Sequence, residues 1–151
     1  MSATARLAEL GLTLPPVAPP AGAYVPAVRT GNLVFTSGQL PMVDGALQAT
    51  GKVDVDVPVE RARELAGICA LNALAAIDAL VGIDAVVRVV KVVGFVASPP
   101  GFTGQPGVVD GASELLAQVL GDAGRHARSA VGVAVLPRDA PVEVELVVEV
   151  S

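Results

Sequence analysis

The sequence predicts an α+β fold in which one β-sheet carries two helices on a single face. Three observations lead to this prediction. Short β-branched runs lie near both ends of the chain, two segments with helical spacing of apolar residues lie between them, and a valine-rich run separates these two segments. The predicted order is β-β-α-β-α-β-β, which leaves one face of the sheet without cover from this chain.

Composition limits the class of protein. The 151 residues correspond to one domain, and a net charge of −5 with ten scattered basic residues argues against a nucleic-acid partner. One cysteine excludes an internal disulfide, and one histidine excludes the usual zinc clusters. No apolar run reaches the roughly 18 residues that span a bilayer, and the N-terminus lacks a signal-type segment. We therefore expect a cytoplasmic protein with no membrane partner.

The first 23 residues predict an arm, and residues 24–151 predict a single domain. Residues 3–10 can form a short helix, and the proline-rich run 12–23 cannot form regular structure. Two strands, 24–30 and 33–37, then flank the turn dipeptide Gly31-Asn32. Gly38 ends the second strand, and a short hairpin around Val43-Asp44-Gly45 follows.

Two helices and a central strand follow. The long helix has Pro58 in its first turn and ends at Gly82, and the second helix, 108–120, ends at Gly121. Valine density favours a strand over 85–97, which we expect to be bulged near Gly94 and covered on both faces. The apolar stripe of the long helix contains Leu65, Ile68, Leu71, Leu74, Ile77 and Val81.

The chain ends in two alternating runs, 128–135 and 142–149, which predict a β-hairpin around LPRDAP. Period two places valines of both runs on a core face: Val131, Val133, Val135, Val142, Val144, Leu146 and Val148. The other face carries Arg128, Ala130, Gly132, Ala134, Glu143, Glu145 and Glu149. Its small residues leave room for a second copy, with Arg128 at the rim. In the alternative interpretation this face is solvated, and hairpin pairing sets Arg128 opposite Glu149 as a structural ion pair.

Three motifs in this order resemble the YjgF/RidA family, in its longer branch often labelled endoribonuclease L-PSP-like. They are SGQLP at 37–41, ARS at the start of a strand at 127–129, and LP at 136–137 followed by VEVE at 142–145. The resemblance covers nearly all of the chain beyond the arm. It implies a chorismate-mutase-like fold, a homotrimer whose sheets form a central barrel, and a small carboxylic acid ligand in clefts between subunits.

The activity that the resemblance implies is hydrolysis of reactive 2-enamine and 2-imine acids to 2-keto acids and ammonia, without a metal or organic cofactor. The family's carboxylate-binding arginine matches Arg128, and its water-positioning glutamate matches Glu143. Its cleft tyrosine matches Tyr24 and its loop glycine matches Gly38. A guanidinium suits this task because its planar fork of donors fits a carboxylate. Imine hydrolysis needs a held substrate and an aimed water rather than a strong nucleophile.

Two positions depart from typical members. Ala130 replaces a cysteine, at a position where the main chain is expected to contact the ligand, and Asp110 replaces an asparagine that lines the cleft. An added carboxylate repels an anionic substrate unless it is paired or protonated, so a changed specificity is expected. Two alternatives to the deaminase stay open: a non-catalytic trimer that binds a small carboxylic acid, and an endoribonuclease, which the acidic charge and few aromatics disfavour.

Overall fold

The computed structural model describes all residues from Met1 to Ser151. Five strands form one sheet in the order β1-β2-β7-β5-β6, and β3 and β4 form a separate small hairpin. Two long helices, α2 and α3, pack on one face of the sheet, so the predicted α+β architecture is confirmed. The elements are α1 (Ala3–Glu9), β1 (Ala27–Thr30), β2 (Leu33–Thr36), β3 (Met42–Val43), β4 (Ala46–Leu47), α2 (Val59–Val81), β5 (Val86–Ala97), α3 (Gln105–Leu120), β6 (Ala127–Val133) and β7 (Val142–Val150).

The predicted terminal hairpin is wrong, because β6 and β7 do not pair. Strand β5 lies between them, parallel to β6 and antiparallel to β7. The intervening segment carries two residues at positive φ, Arg138 and Asp139, and crosses the end of β5, where the Ala97 amide donates to the Pro141 carbonyl. This segment is a crossover and not a hairpin turn. The predicted pairing of Arg128 with Glu149 is therefore also wrong.

The prediction of which side chains face the core is correct for β7 and wrong for β6, whose two faces are exchanged. The core residues of β7 are buried under the helices, whereas Val131 on β6 is 43% exposed on the open face. Parallel pairing with β5 sets Arg128 beside the buried Val92, which turns Arg128 toward the helices. The small residues of β6 face α3, where they leave room for its side chains. A Cβ at Gly132 would lie 2.8 Å from the side-chain nitrogen Nε2 of Gln105.

Helix α2 begins directly after Pro58 and ends at Gly82, whose φ of 83° is unfavourable for other residues. It is the one helix long and apolar enough to cross a membrane, and 56% of its apolar window is buried inside the fold. Its inner face packs on β7, β1 and β2, and its flank packs on α3. Its hydrophobicity is thus used in the protein core.

Helix α3 begins at Gln105, three residues before the predicted start, because Pro106 is favourable in a first turn. It ends at Gly121 as predicted. The two helices cross closely at Gly111, where an added Cβ would lie only 1.9 Å from the Arg63 carbonyl oxygen. Glycine at this crossing brings α3 close enough to cover β5 and β6.

Strand β5 is irregular near its start rather than at Gly94, so the predicted bulge position is wrong. Register shifts lie between Val86 and Arg88 and between Val89 and Lys91. The second shift explains the three-residue spacing of polar side chains in the sequence. Gly94 sits in regular pairing, and it is glycine because a Cβ there would lie 2.4 Å from Val109 of α3.

The N-terminal segment folds onto the domain. The predicted short helix is confirmed as α1, which buries Leu7 in the core. The amide and hydroxyl of Thr4 donate to the carboxylate of Asp84, and these hydrogen bonds lower the pKa of Asp84. The division into an arm, 1–23, and a domain, 24–151, stays a prediction.

Candidate functional site

Five of the six predicted site residues form two groups on opposite faces of the sheet, and the sixth, Tyr24, precedes β1. Arg128, Ala130 and Asp110 lie on the helix-covered side, at the edge made by β6 and α3. Glu143 lies on the open face, directly against Gly38. Within one chain the predicted carboxylate-binding arginine and the predicted water-positioning glutamate therefore do not meet.

Arg128 is held by three groups of helix α3. Its Nη1 donates to Asp110 Oδ1 at 2.8 Å and to Ser113 Oγ at 3.2 Å, and its Nη2 donates to the Pro106 carbonyl at 3.3 Å. The arginine side chain is 21% exposed and the aspartate side chain 45%. The pair is thus reachable from solvent, and the guanidinium orientation is fixed before any ligand arrives.

Ser113 also contacts His126, and this contact sets the direction of the hydrogen bonds. His126 Nδ1 lies 2.6 Å from the Gly124 carbonyl oxygen, which can only accept. In the neutral ring the proton is therefore on Nδ1, and Nε2 accepts from the Ser113 hydroxyl at 2.8 Å. The lone pairs of Ser113 Oγ are then directed to the Arg128 N–H.

Ala130 pairs with Gly94 of β5 and packs partly buried against the main core. Its side chain offers no polar group, so only its main chain can bind a ligand. Since β6 pairs with β5 alone, the outer edge of β6 is not covered by another strand of this chain. A ligand or a second chain can approach Ala130 from that edge.

Glu143 is half-buried and pairs with Phe95 across the sheet. Burial raises the pKa of Glu143, and the nearby Glu145 carboxylate raises it further. None of the four ion pairs of the chain involves Glu143. A Cβ at Gly38 would lie 2.8 Å from the Glu143 carboxylate, so glycine at 38 provides the space that this carboxylate occupies.

Tyr24 and Gly38 line one cavity of about 370 Å³. The proline-rich arm forms one wall, and the Tyr24 hydroxyl accepts a hydrogen bond from the Ala21 amide. Tyr24 remains 51% exposed. Asn72, one of the few buried polar residues, also lines the cavity and donates from its side chain to the Leu40 and Met42 carbonyls.

Cys69 belongs to the core rather than to a site. It is fully buried, and this burial raises the pKa of its thiol well above the usual value. No three His, Cys, Asp or Glu side chains are grouped where they could hold a metal ion.

Sequence reasoning missed Ser113 and the hydrogen-bonded role of His126. Asp110 and Ser113 are three residues apart on α3, so a helical reading places them on one face. That spacing was the available signal. The partnership with Arg128 and His126 requires β6 to lie at the sheet edge beside α3, which the hairpin prediction did not allow.

The five-stranded sheet with two helices on one face defines a chorismate-mutase-like fold. The endoribonuclease L-PSP family model matches residues 16–150, and the chain therefore belongs to that family, which is also the YjgF/RidA family.

Three relatives are similar to the chain over nearly its whole length. "Protein TCP17" of Trypanosoma cruzi is 44% identical over 97% of this chain and 93% of its own length. The structure of Atu1372 from Agrobacterium tumefaciens is 48% identical, covers 99% of this chain and 92% of its own, and has a TM-score of 0.90. The structure of E. coli TdcF with bound serine is 28% identical, covers 91% and 94%, and has a TM-score of 0.62.

Proposed function

We propose that this protein hydrolyses 2-enamine and 2-imine carboxylic acids to 2-keto acids and ammonia, in clefts between the subunits of a homotrimer. One observation carries the proposal: the two groups of predicted site residues lie on opposite faces of one sheet. We call them the Arg128 half-site, with Asp110, and the Glu143 half-site, with Gly38. A complete site then needs the Arg128 half of one copy and the Glu143 half of the next.

The open face supports assembly. It presents partly exposed apolar side chains that the helices of this chain do not cover, including Val28, Phe35 and Val131. Exposed apolar side chains on a sheet face are typical of an interaction site. Contact with a second copy would bury these side chains together with Glu143.

The half-sites supply complementary chemistry. Arg128 is a rigidly held cation that binds a substrate carboxylate, and Glu143 is a carboxylate with a raised pKa, suited to accept and return a proton of water. Water adds to the C=N carbon, and the resulting carbinolamine expels the nitrogen as ammonia. The overall reaction, iminium acid plus water giving keto acid plus ammonium, needs no oxidant or cofactor.

A test is ammonia and keto-acid release in a serine or threonine dehydratase reaction, whose product is the unstable enamine. We expect wild-type protein to accelerate release and Arg128→Ala to lower kcat/KM about 100-fold, since it loses charge-assisted hydrogen bonds. Arg125→Ala, three residues earlier and exposed, is the matched control and should retain full activity. No acceleration by a folded wild-type oligomer would contradict the proposal.

A second candidate is a trimer that binds a small amino or carboxylic acid without turnover. The TdcF structure with bound serine favours it, because serine carries the carboxylate that an arginine would recognise. Saturable serine binding, lost in Arg128→Ala, without any acceleration of enamine hydrolysis would select this candidate.

The family name raises endoribonuclease activity as a third candidate. The net charge of −5 and the 3% aromatic content disfavour it, because phosphate contacts need clustered cations and stacking needs rings. RNA cleavage that persists through purification and disappears with Arg128→Ala would support it.

A further inference from the structure

The Arg128–Asp110 pair offers a ligand more than a cation. Asp110 binds Arg128 through Oδ1 alone, and its second oxygen, Oδ2, has no hydrogen-bond partner within the chain. Since 45% of the Asp110 side chain is exposed, this free oxygen can accept a hydrogen bond from a ligand.

Arg128 also keeps the donors that a carboxylate needs. Both N–H groups of Nη1 are used, by Asp110 and Ser113, and one N–H of Nη2 is used by the Pro106 carbonyl. The Nε–H and one N–H of Nη2 have no partner within the chain, so the guanidinium can still donate to a ligand carboxylate.

The charges of the pair change what it attracts. Asp110 offsets the positive charge of Arg128, so a ligand with only a carboxylate gains less than it would from an isolated arginine. A ligand that adds a protonated nitrogen next to its carboxylate satisfies both partners: the carboxylate binds Arg128 and the N–H⁺ group binds Asp110 Oδ2. The asparagine of typical family members has no negative charge for this purpose.

We infer that Asp110 determines specificity, by making the Arg128 half-site select zwitterionic 2-amino and 2-iminium acids over acids that carry only a carboxylate. The inference rests on the proposed function for the location of the site. It also bears on the chemistry, because a nearby carboxylate favours the protonated iminium form, whose carbon is the better electrophile for water. The keto acid product has no N–H⁺ group and is released more easily.

The test compares two probes that differ in one group, L-alanine and L-lactate, by NMR titration of the intact oligomer. We expect wild-type protein to bind L-alanine more tightly than L-lactate. Asp110→Asn should weaken L-alanine binding about tenfold and strengthen L-lactate binding, while Asp110→Glu should restore part of the preference. Asp122→Asn, in the turn after α3, is the matched control and should bind both probes as wild type does.

The outcomes separate this inference from the proposed function. If Arg128→Ala abolishes binding but Asp110→Asn changes both affinities equally, the site stands and the role of Asp110 is overturned. If Arg128→Ala leaves both affinities unchanged, the site itself is overturned. Thermal unfolding and oligomeric state of each variant show whether a loss of binding reflects loss of structure.

Discussion

The two faces of the sheet treat their charged residues differently. On the helix-covered side, Arg128 is paired with Asp110 and oriented by Ser113, all within one chain. On the open face, Glu143 is half-buried beside another glutamate and forms no ion pair. The first group has its polar contacts within the chain, whereas the second is a carboxylate with a raised pKa on a surface with exposed apolar residues. This difference is the basis of our proposal that Glu143 meets its partners on another copy of the chain.

The largest effect is expected from a substitution that prevents the open face from binding another copy. Phe35→Asp places a charge among apolar residues at a position that is 44% exposed in one chain. We expect a folded monomer with activity reduced more than 100-fold, because both half-sites persist but no longer meet. Light scattering and circular dichroism measure assembly and fold.

Val55→Asp is the control for this variant, since Val55 is exposed on a loop outside the sheet. It should leave the oligomer and its activity intact. An active monomer of Phe35→Asp would show that one chain contains a complete site.

Displacing Glu143 without removing it should have the next largest effect. Gly38→Ala puts a Cβ where the Glu143 carboxylate lies, and this flexible side chain can move away. We expect about tenfold lower kcat with little change in the free energy of unfolding. Gly107→Ala, where an added Cβ meets no atom within 4 Å, is the matched control for enzyme assays. Equal activity of both variants would remove Glu143 from the reaction.

Loosening Arg128 should have a smaller effect that appears in KM. Ser113→Ala removes one acceptor of the guanidinium and the partner of His126, but the bond to Asp110 remains. We expect KM to rise about three- to tenfold with kcat nearly unchanged, because the substrate must then immobilise the arginine. Ser113→Thr keeps the hydroxyl and should recover most of the affinity. A fall in kcat alone would contradict a positioning role.

The smallest effect concerns the pH dependence of stability. The folded-state pKa of Glu143 lies above its usual value of 4.5, so the folded protein binds this proton more tightly than the unfolded chain does. Its contribution to stability is fully present below pH 4.5 and is lost as the pH rises through the folded-state pKa. As the pH rises from 4.5 through the folded-state pKa, the free energy of unfolding should therefore fall less for Glu143→Gln than for wild type. Denaturant unfolding at several pH values measures this difference. Parallel curves for both proteins would contradict the raised pKa.

The sequence predicts the elements well because their signals are local. Helix α2 and its stop at Gly82, the end of α3 at Gly121 and the core face of β7 all follow from spacing and glycine chemistry. The position of β6 does not, because pairing partners depend on the whole sheet. Alternation in adjacent runs favours a hairpin, whereas the valine-rich β5 takes the central place between them.

The same limit applies to the site. The family motifs single out Arg128 and Glu143, but their placement on opposite faces follows only from the parallel pairing of β5 and β6. Likewise, Asp110 as the partner of Arg128 depends on α3 packing against the edge strand. The sequence identifies the candidate site residues, but their contacts can be known only once the order of the strands in the sheet is known.

The most direct test of a site shared between copies is a mixing experiment. Arg128→Ala and Glu143→Gln subunits, each inactive alone, are unfolded together, refolded at equal concentration and assayed for enamine hydrolysis. If each cleft takes Arg128 from one subunit and Glu143 from the next, every mixed trimer contains one intact cleft, and random mixing restores about a quarter of wild-type activity. Mixed trimers that form but stay inactive would contradict the account, because no cleft could then combine the two residues from different chains.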